Sequence, residues 1–241
     1  MPSIKAITDI PSIAQLYRES ALQKVASPST PSFQPSAPIN SRVSLVCGDI
    51  TKLQLDAIVN AANSTLLGGG GVDGAIHRAA GPELRHECQG VGGCSTGDAR
   101  LTKGYKLPAK HVIHTVGPVY DGHSPQKSEE LLRSCYEKSL RLAASSGIKT
   151  LAFSGISTGV YGYPSSDAAR VACETVRRFL DSDGGALDRV VFVTFEQKDV
   201  AAYNDALPEY FPPGGENESK FTPFDNRAQS AISSFDDPWE T

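Results

Sequence analysis

Apolar residues in the middle of the chain occur in short runs that alternate with longer periodic segments. Runs of about four to eight apolar or β-branched residues bounded by glycine, proline or polar clusters predict strands. Such runs lie at residues 42–47, 57–61, 110–116, 150–154 and 188–195. Apolar residues three or four apart predict helices at residues 72–80, 128–145 and 166–180. This alternation predicts an α/β sandwich with a largely parallel sheet.

Proline placement divides the chain into a central domain and two flanks. Six of the 16 prolines precede residue 42 and four follow residue 211. We therefore expect an N-terminal extension over residues 1–41, one domain over residues 42–211, and an acidic, disordered tail over residues 212–241. Within the extension, residues 26–41 are rich in proline and serine and predict a linker.

The extension also contains one helix signal. Ser12 and Gln15 have the spacing of a capping box, in which each side chain bonds to the other residue's backbone N–H. Ile13, Leu16 and Tyr17 would share one face of the helix that follows. The sequence leaves open whether this helix packs on the domain or lies free.

Composition excludes several classes of protein. The 23 basic and 27 acidic residues give a net charge of −4, which argues against a protein that binds nucleic-acid phosphates. No apolar run approaches 18 residues, so we expect no membrane-spanning helix, and the first residues lack the apolar stretch of a secretory signal. Five cysteines without a Cys-x-x-Cys pair suggest reduced thiols, Cys88 and Cys94 among them, in a cytoplasmic or nuclear protein.

The first candidate for a binding loop is a glycine cluster. Residues 68–71 are four consecutive glycines directly before a predicted helix, and ten of the chain's 22 glycines lie between residues 68 and 97. Glycine lets the backbone approach a ligand closely, and a helix N-terminus favours an anion. Gly69, Gly71 and Gly74 also match a dinucleotide-binding fingerprint. That fingerprint requires a strand ending in an acidic residue about 20 positions further on, and residues 91–95 are no strand.

A second small-residue loop follows the apolar run at residues 150–154. Residues 155–159 match the Gly-x-Ser-x-Gly nucleophile elbow, but all five histidines precede Ser157, so the triad order of that hydrolase class cannot be completed. What remains is a loop with backbone donors for a phosphate. Neither loop contains Lys or Arg, so we expect a small anionic ligand that is held by backbone amides.

Polar residues near the glycine cluster allow two interpretations. Asp73 is either a helix N-cap or a catalytic group, and His77, four residues on, shares its helix face. His111 and His114 alternate with apolar residues along a strand, a pattern that does not predict a metal site without further ligands. By its pattern alone, Phe195 belongs in the core rather than on a stacking surface.

Together these residues resemble the macrodomain family, and within it the MacroD-type ADP-ribosyl hydrolases. The resemblance covers residues 42–211 and neither flank. It rests on Gly48-Asp49-Ile50-Thr51, on residues 56–63 (DAIVNAAN), on residues 66–82 (LLGGGGVDGAIHRAAGP), on residues 113–118 (IHTVGP) and on residues 156–164 (ISTGVYGYP).

The resemblance implies a three-layer α/β/α sandwich with a mixed, largely parallel sheet and a cleft for ADP-ribose. Asp49 and the Ile50 backbone would bind the adenine, with Phe195 stacking beside it. Asn63 would bind the distal ribose, and Asp73, supported by His77, would lie at the anomeric carbon. The diphosphate would lie between two groups of residues: Gly70, Gly71 and Val72 on one side, and Ser157, Thr158, Gly159, Val160 and Tyr161 on the other.

The implied chemistry is hydrolysis, with Asp73 orienting or deprotonating a water molecule. The resemblance implies removal of mono-ADP-ribose from Asp or Glu side chains of proteins, and deacetylation of O-acetyl-ADP-ribose. A reader module that binds ADP-ribose without turnover is one alternative, and an ADP-ribose 1″-phosphate phosphatase is another. Retention of Asn63 together with Asp73 favours the enzyme.

The same resemblance limits cofactors and partners. No cofactor and no metal are expected, since the zinc-dependent subclass would need a Cys/His ligand set in its catalytic loop, which has none here. The expected partners are ADP-ribose and mono-ADP-ribosylated proteins, without a membrane or sequence-specific nucleic acid. The oligomeric state stays open, with a monomer favoured, and the expected location is cytoplasmic or nuclear.

Overall fold

Six strands form the central sheet of the protein. The computed structural model describes residues 3–22 and 33–214. In chain order, the elements are β1 (Lys5–Ala6), α1 (Ile13–Arg18), α2 (Ala37–Asn40), β2 (Val43–Cys47), β3 (Leu53–Gln54), β4 (Ala57–Ala61), α3 (Gly71–Ala80), α4 (Pro82–Val91), β5 (Ala99–Lys103), β6 (His111–Thr115), α5 (Pro125–Ser145), β7 (Thr150–Phe153), α6 (Ser165–Ser182), β8 (Arg189–Thr194) and α7 (Gln197–Tyr210).

The strand order in this sheet is β2-β8-β7-β4-β6-β5. All neighbouring pairs are parallel except β5 and β6, which are antiparallel and leave β5 at one edge. The short strands β1 and β3 form a separate parallel pair. Strand β4 lies inside the sheet, where its Asn60 is in register with His114 of β6.

Side chains alternate between the two faces of the sheet, as the strand period requires. In β8, Val190 and Phe192 pack into the core that lies under α5, α6 and α7. Val191 and Val193 face the other side, where α3 and α4 cover a smaller core. Helices therefore lie on both faces, which confirms the predicted three-layer α/β/α fold with a mixed, largely parallel sheet.

The predicted elements are present, with boundaries moved by a few residues at most. The short elements β1, α2 and β3 were not predicted, and three longer ones were missed as well. The longer missed elements are the edge strand β5 and the helices α4 and α7. None of the helices within the described residues is both long and apolar enough to cross a membrane.

The N-terminal helix packs against the domain. Ser12 and Gln15 form the predicted capping box, and Ile13 and Tyr17 are buried in the larger core. Tyr17 Oη donates a hydrogen bond of 2.9 Å to the carbonyl of Phe211, at the end of α7.

A second contact of this kind lies in the segment predicted as a linker, where residues 37–40 form α2. Ile39 of α2 is buried, and Asn40 Nδ2 donates a hydrogen bond of 2.9 Å to the Pro212 carbonyl. We call the two contacts, Tyr17–Phe211 and Asn40–Pro212, the terminal latch. Linker residues 26–32 and tail residues 215–241 lie outside the described part of the chain.

Candidate active site

The candidate site lies at the carboxyl ends of four adjacent parallel strands, β2, β8, β7 and β4. Ligands of open α/β sheets bind at this edge. Asp49 follows β2 and Phe195 follows β8, the second loop (residues 154–164) follows β7, and the glycine loop (residues 62–70) follows β4. Neighbouring strands are about 4.8 Å apart, so the four strand ends span roughly 14 Å. The strand order therefore arranges the predicted site residues along one line.

The glycine loop presents free backbone donors. The N–H groups of residues 68–73 donate to no acceptor within the described residues. Glycine is needed where the loop packs closely: a Cβ on Gly69 would lie 3.1 Å from Asp73 Oδ2, and one on Gly74 would lie 2.4 Å from the Gly69 carbonyl oxygen. Gly71 adopts a φ of +57°, in the left-handed region. The loop can thus surround an anion with main-chain N–H groups.

The second loop offers donors of the same kind. None of the N–H groups of residues 157–161 bonds to an acceptor in the described part of the chain. Ser157 has a φ of +66°, which is strained for a serine, and its buried Oγ has no partner among the described groups. Gly117 packs directly against Ser157. A Cβ on Gly117 would lie 2.1 Å from Ser157 Oγ, so a side chain at position 117 would displace the serine. Strain and free donors in one segment are typical of a ligand-binding loop.

Two large apolar side chains along this line are exposed. Phe195 is 61% exposed and Val160 is fully exposed. The core position that the residue pattern favoured for Phe195 is therefore wrong, because β8 ends at Thr194 and the chain turns outward. Exposed apolar side chains beside free backbone donors suit a ligand with both a flat apolar part and an anionic part.

Asp49 and Ile50 lie beside Phe195, since Cys47 and Thr194 are in register at the ends of β2 and β8. Asp49 is exposed, and its Oδ1 accepts hydrogen bonds from the backbone N–H and the hydroxyl of Thr51. These bonds leave Oδ2 available to a ligand. The Ile50 side chain is buried in the smaller core, so only its backbone can reach the cleft.

At the other end of the line, Asp73 is buried with a 4% exposed fraction. The N-cap of α3 is Gly70, so the interpretation of Asp73 as the helix cap is wrong. Asp73 instead points inward, where its Oδ1 accepts a hydrogen bond of 2.8 Å from Asn60 Nδ2. His77 Nε2 lies 3.5 Å from the same oxygen. A buried carboxylate with polar neighbours is the arrangement expected of a catalytic acid or base.

Burial changes the ionisation of both groups. It raises the pKa of Asp73, against the opposing effects of the Asn60 hydrogen bond and the His77 charge. Burial lowers the pKa of His77, which Asp73 opposes and Arg85 reinforces. A carboxylate with a raised pKa is a stronger base than a solvated one, so Asp73 is suited to take a proton from water.

Asn63 joins the glycine loop to Asp73. Its Nδ2 donates to the Gly68 carbonyl at 2.9 Å and approaches Asp73 Oδ2 at 3.5 Å. Its Oδ1 accepts from the backbone and hydroxyl of Thr65, in an Asx turn that shapes the loop. The structure therefore brings Asn63, Asp73 and His77 together.

Sequence reasoning missed the groups that lie behind Asp73. Asn60 and His114 are fully buried, with Asn60 Nδ2 3.1 Å from His114 Nδ1, and Thr102 Oγ1 is 2.9 Å from His114 Nε2. A signal was present, because Asn60 interrupts an otherwise apolar strand run, as His114 does the next. Their pairing depends on sheet register, which the sequence did not reveal.

The ligand atoms of His77, Cys88 and His114 lie within 4.8 Å of one another, a spacing that a metal ion would also require. The donors do not suit one. Both ring nitrogens of His114 already have hydrogen-bond partners, and burial raises the pKa of the Cys88 thiol to about 11. Cys88 and His114 are therefore best described as part of a hydrogen-bonded interior.

A cavity of about 470 Å³ opens between the glycine loop and the start of α4, and His77, which lies 3.5 Å from Asp73, is part of its lining. Arg78 and Arg85 also contribute to its lining, while Asp73 and the second loop do not. Neither arginine forms an ion pair with a described residue. The cavity thus adjoins the line of predicted ligand residues on its Asp73 side, and it is basic.

Comparison with known proteins places this geometry in a family. The family model described as Macro domain matches residues 59–172. The protein named ADP-ribose glycohydrolase MACROD2 from Xenopus laevis is 49% identical over 88% of this chain and 51% of its own length. The protein named ADP-ribose glycohydrolase MACROD1 from Rattus norvegicus is 47% identical over 82% of this chain and 76% of its own length. The chain thus spans about half the length of the Xenopus relative.

A solved structure extends the comparison to the fold. A macrodomain from Trypanosoma brucei in complex with ADP-ribose has a TM-score of 0.72 and 42% identity, covering 86% of this chain and 78% of its own. The sheet order, the two backbone-lined loops and these relatives agree with one another. The chain belongs to the macrodomain family.

Proposed function

We propose that this chain is a hydrolase that removes mono-ADP-ribose from Asp and Glu side chains of proteins. The observation that carries the proposal is the buried carboxylate of Asp73, bonded to Asn60 at one end of a line of ligand-binding groups. A module that only binds ADP-ribose needs no buried base at that position. The names of the MACROD relatives support the same activity.

Each part of ADP-ribose has a counterpart along the line of strand ends. The adenine lies between Asp49 and Phe195, and the diphosphate takes the free N–H groups of the two loops. Each hydrogen bond to a charged phosphate oxygen contributes about 1.5–3 kcal/mol. The distal ribose then lies by Asn63, with its anomeric carbon at Asp73. The macrodomain from Trypanosoma brucei, crystallised with ADP-ribose, supports this choice of ligand.

The reaction needs only water and the chain's own groups. Asp73 takes a proton from a water molecule, the water oxygen attacks the ester that joins the ribose to the acidic side chain, and the ester bond breaks. The products are ADP-ribose and a free carboxyl group, and Asp73 releases its proton to solvent. General-base assistance of this kind contributes roughly 10²–10⁴-fold to the rate. O-acetyl-ADP-ribose also contains an ester on its ribose. Attack of the same water on the acetyl carbonyl carbon breaks the acyl–oxygen bond and gives acetate and ADP-ribose, whose hydroxyl regains a proton.

The protein part of the substrate lies over the basic cavity. That cavity adjoins Asp73, and Arg78 and Arg85 are free to pair with acidic residues that flank the modified side chain. The partner is thus a mono-ADP-ribosylated protein. The chain works in a reducing compartment, the cytoplasm or nucleus, which its five free cysteines support.

The decisive test compares wild type with Asp73→Ala on a protein that carries mono-ADP-ribose on acidic residues. We expect wild type to remove the label and Asp73→Ala to retain it, while both bind ADP-ribose in calorimetry. The matched control is Asp167→Ala, an exposed carboxylate in the first turn of α6, which should behave as wild type. Label that stays on the protein in the presence of wild type, despite measurable ADP-ribose binding, would leave a reader module as the function.

A further inference from the structure

Behind Asp73, three buried side chains form a continuous line of hydrogen bonds that begins on the edge strand β5. Thr102, His114 and Asn60 have exposed fractions of 2%, 0% and 0%. The distances are 2.9 Å from Thr102 Oγ1 to His114 Nε2, 3.1 Å from His114 Nδ1 to Asn60 Nδ2, and 2.8 Å from Asn60 Nδ2 to Asp73 Oδ1. Polar groups buried this deeply destabilise the fold unless each is bonded, so the line is an ordered arrangement.

The direction of each bond follows from Asp73. An ionised carboxylate only accepts, so Asn60 must turn its NH₂ group toward it. The second hydrogen of that group points to His114 Nδ1, which must then be the unprotonated nitrogen. The ring proton is therefore on Nε2 and is donated to Thr102 Oγ1.

Thr102 Oγ1 can accept this hydrogen bond because its own hydroxyl hydrogen can be donated to a backbone carbonyl. Thr102 Oγ1 lies 3.3 Å from the carbonyl oxygen of Lys103 and 3.4 Å from that of Val112. A competing group is Cys88, whose Sγ lies 3.7 Å from His114 Nε2. A thiol that donated to Nε2 would move the ring proton to Nδ1. The oxygen of Thr102 is closer and is the stronger partner, so it decides the tautomer.

The opposite tautomer of His114 would reverse the donor and acceptor roles in its hydrogen bond with Asn60. With a proton on Nδ1 of His114, Asn60 would rotate its amide and accept through Oδ1. The carbonyl oxygen has no hydrogen-bond partner in the described structure as it stands. Its NH₂ group would then leave Asp73, and any oxygen turned toward the carboxyl would favour the protonated acid.

We propose that Thr102 and His114 are positioning residues for Asp73: Thr102 fixes the Nε2–H tautomer of His114, and His114 thereby holds the Asn60 amide with its NH₂ group toward Asp73. The catalytic consequence rests on the proposed function of Asp73, whereas the tautomer does not. The line ends on Asp73 Oδ1, whereas Asn63 of the glycine loop approaches Oδ2, and its three members are buried, so it orients the carboxylate from the protein interior.

A consequence for pH follows from the Asn60 bond, which opposes the rise in the pKa of Asp73 that burial causes. Losing this bond would raise that pKa further. The other groups that act on Asp73 are Asn63 from the glycine loop, His77 from its own helix, and Cys88 with Arg85, through His77, from α4. A substitution at Thr102 leaves all of these unchanged.

The test compares Thr102→Val, which removes the acceptor at nearly constant volume, with Thr102→Ser, which keeps it. For Thr102→Val we expect kcat to fall roughly 10- to 100-fold, the effect of a misplaced reacting group. KM and the Kd for ADP-ribose should stay within about twofold, and the acid limb of the pH–rate profile should move to higher pH. Thr102→Ser should restore most of the turnover and the original acid limb. Thermal melting verifies that both variants fold.

A second measurement does not depend on turnover. With ¹⁵N-labelled histidine, NMR should report the Nε2–H tautomer for His114 in wild type and Thr102→Ser, and a shift toward Nδ1–H in Thr102→Val. His114→Gln assigns the signal. An Nδ1–H tautomer in wild type, or unchanged kcat and acid limb in Thr102→Val, would overturn the proposal. If wild type has no hydrolase activity, the proposed function fails, and NMR titration of the Asp73 carboxyl in wild type and Thr102→Val decides the positioning role alone.

Discussion

At the Asp73 end of the candidate site, the side chains are buried and contact one another. Further along the line, Phe195 and Val160 are exposed, and the second loop offers only backbone donors. Asp73 accepts from Asn60 and lies beside His77. The first end has its geometry before any ligand arrives, and the second gains its contacts from the ligand. From this difference we expect turnover and affinity to depend on different residues, so that each can be changed without the other.

The largest effect on affinity should come from Gly117→Ala. The new Cβ would lie 2.1 Å from Ser157 Oγ and 2.6 Å from Ile156 Cγ2, so the second loop must move away. We expect ADP-ribose to bind roughly 100-fold more weakly, as misplaced binding groups cause, and overpacking to lower the unfolding free energy by about 1–3 kcal/mol.

The control for this variant is Gly122→Ala, in which the added Cβ meets no atom within 4 Å. Calorimetry with ADP-ribose and thermal melting compare the two. Wild-type affinity in Gly117→Ala would show that the second loop does not bind the ligand.

The second largest effect should come from lowering the pH, which should reduce kcat and leave the affinity for ADP-ribose unchanged. Asp73 acts as a base only when it is ionised, and burial raises its pKa above that of a free carboxyl group. As the pH falls through this raised pKa, the base form is lost, and kcat should drop by about tenfold per pH unit below it. The backbone N–H groups of the loops do not titrate, so the Kd for ADP-ribose should stay nearly constant. Parallel pH series of kcat and Kd test this, and a Kd that follows kcat would contradict it.

Phe195→Ala should affect affinity alone. Base stacking on an aromatic ring contributes about 1–3 kcal/mol, so we expect the Kd for ADP-ribose to rise about tenfold, with kcat at saturating substrate unchanged. The exposed ring packs little, so the melting temperature should hold. Ile4→Ala is the control, since Ile4 is 59% exposed, close to the 61% of Phe195, but lies in the N-terminal segment. Equal Kd values for both variants would remove Phe195 from the site.

The smallest effect concerns the terminal latch, which belongs to neither end of the cleft. Tyr17→Phe removes the donor to the Phe211 carbonyl and should lower the unfolding free energy by about 1 kcal/mol. Neither kcat nor the ADP-ribose Kd should change. Urea unfolding and the two functional assays provide the comparison, and a change in kcat would connect the latch to the cleft.

The sequence predicted most of the sheet because its strands have a clear apolar pattern, as Ala57–Ala61 does. It failed for α4, where Leu84 and Cys88 are the only buried residues of a ten-residue helix. It failed also for β5, an edge strand with arginine, threonine and lysine among its five residues. Elements with one narrow apolar face give a weak periodic signal, since most of their residues face solvent.

The candidate site shows the same limit. The sequence predicted Asp73, His77 and the two loops as site candidates because glycine clusters and helix spacing are local features. The Asn60–His114 pair was not predicted, because it depends on β4 lying beside β6 in register, across 54 residues of chain. Pairing over such distances follows from the completed sheet and from no local pattern.

The terminal latch, finally, bears on which piece of the chain to express. The stretch that matches the family model, residues 59–172, begins inside β4 and stops inside α6. A fragment cut at those limits would lack β2 and β8, two of the six strands, and would uncover the apolar surface that α1 and α7 protect. Each latch bond ends on a backbone carbonyl, at Phe211 and Pro212, so both bonds are lost when the chain stops before Phe211. A useful truncation therefore begins before α1 and ends after Pro212.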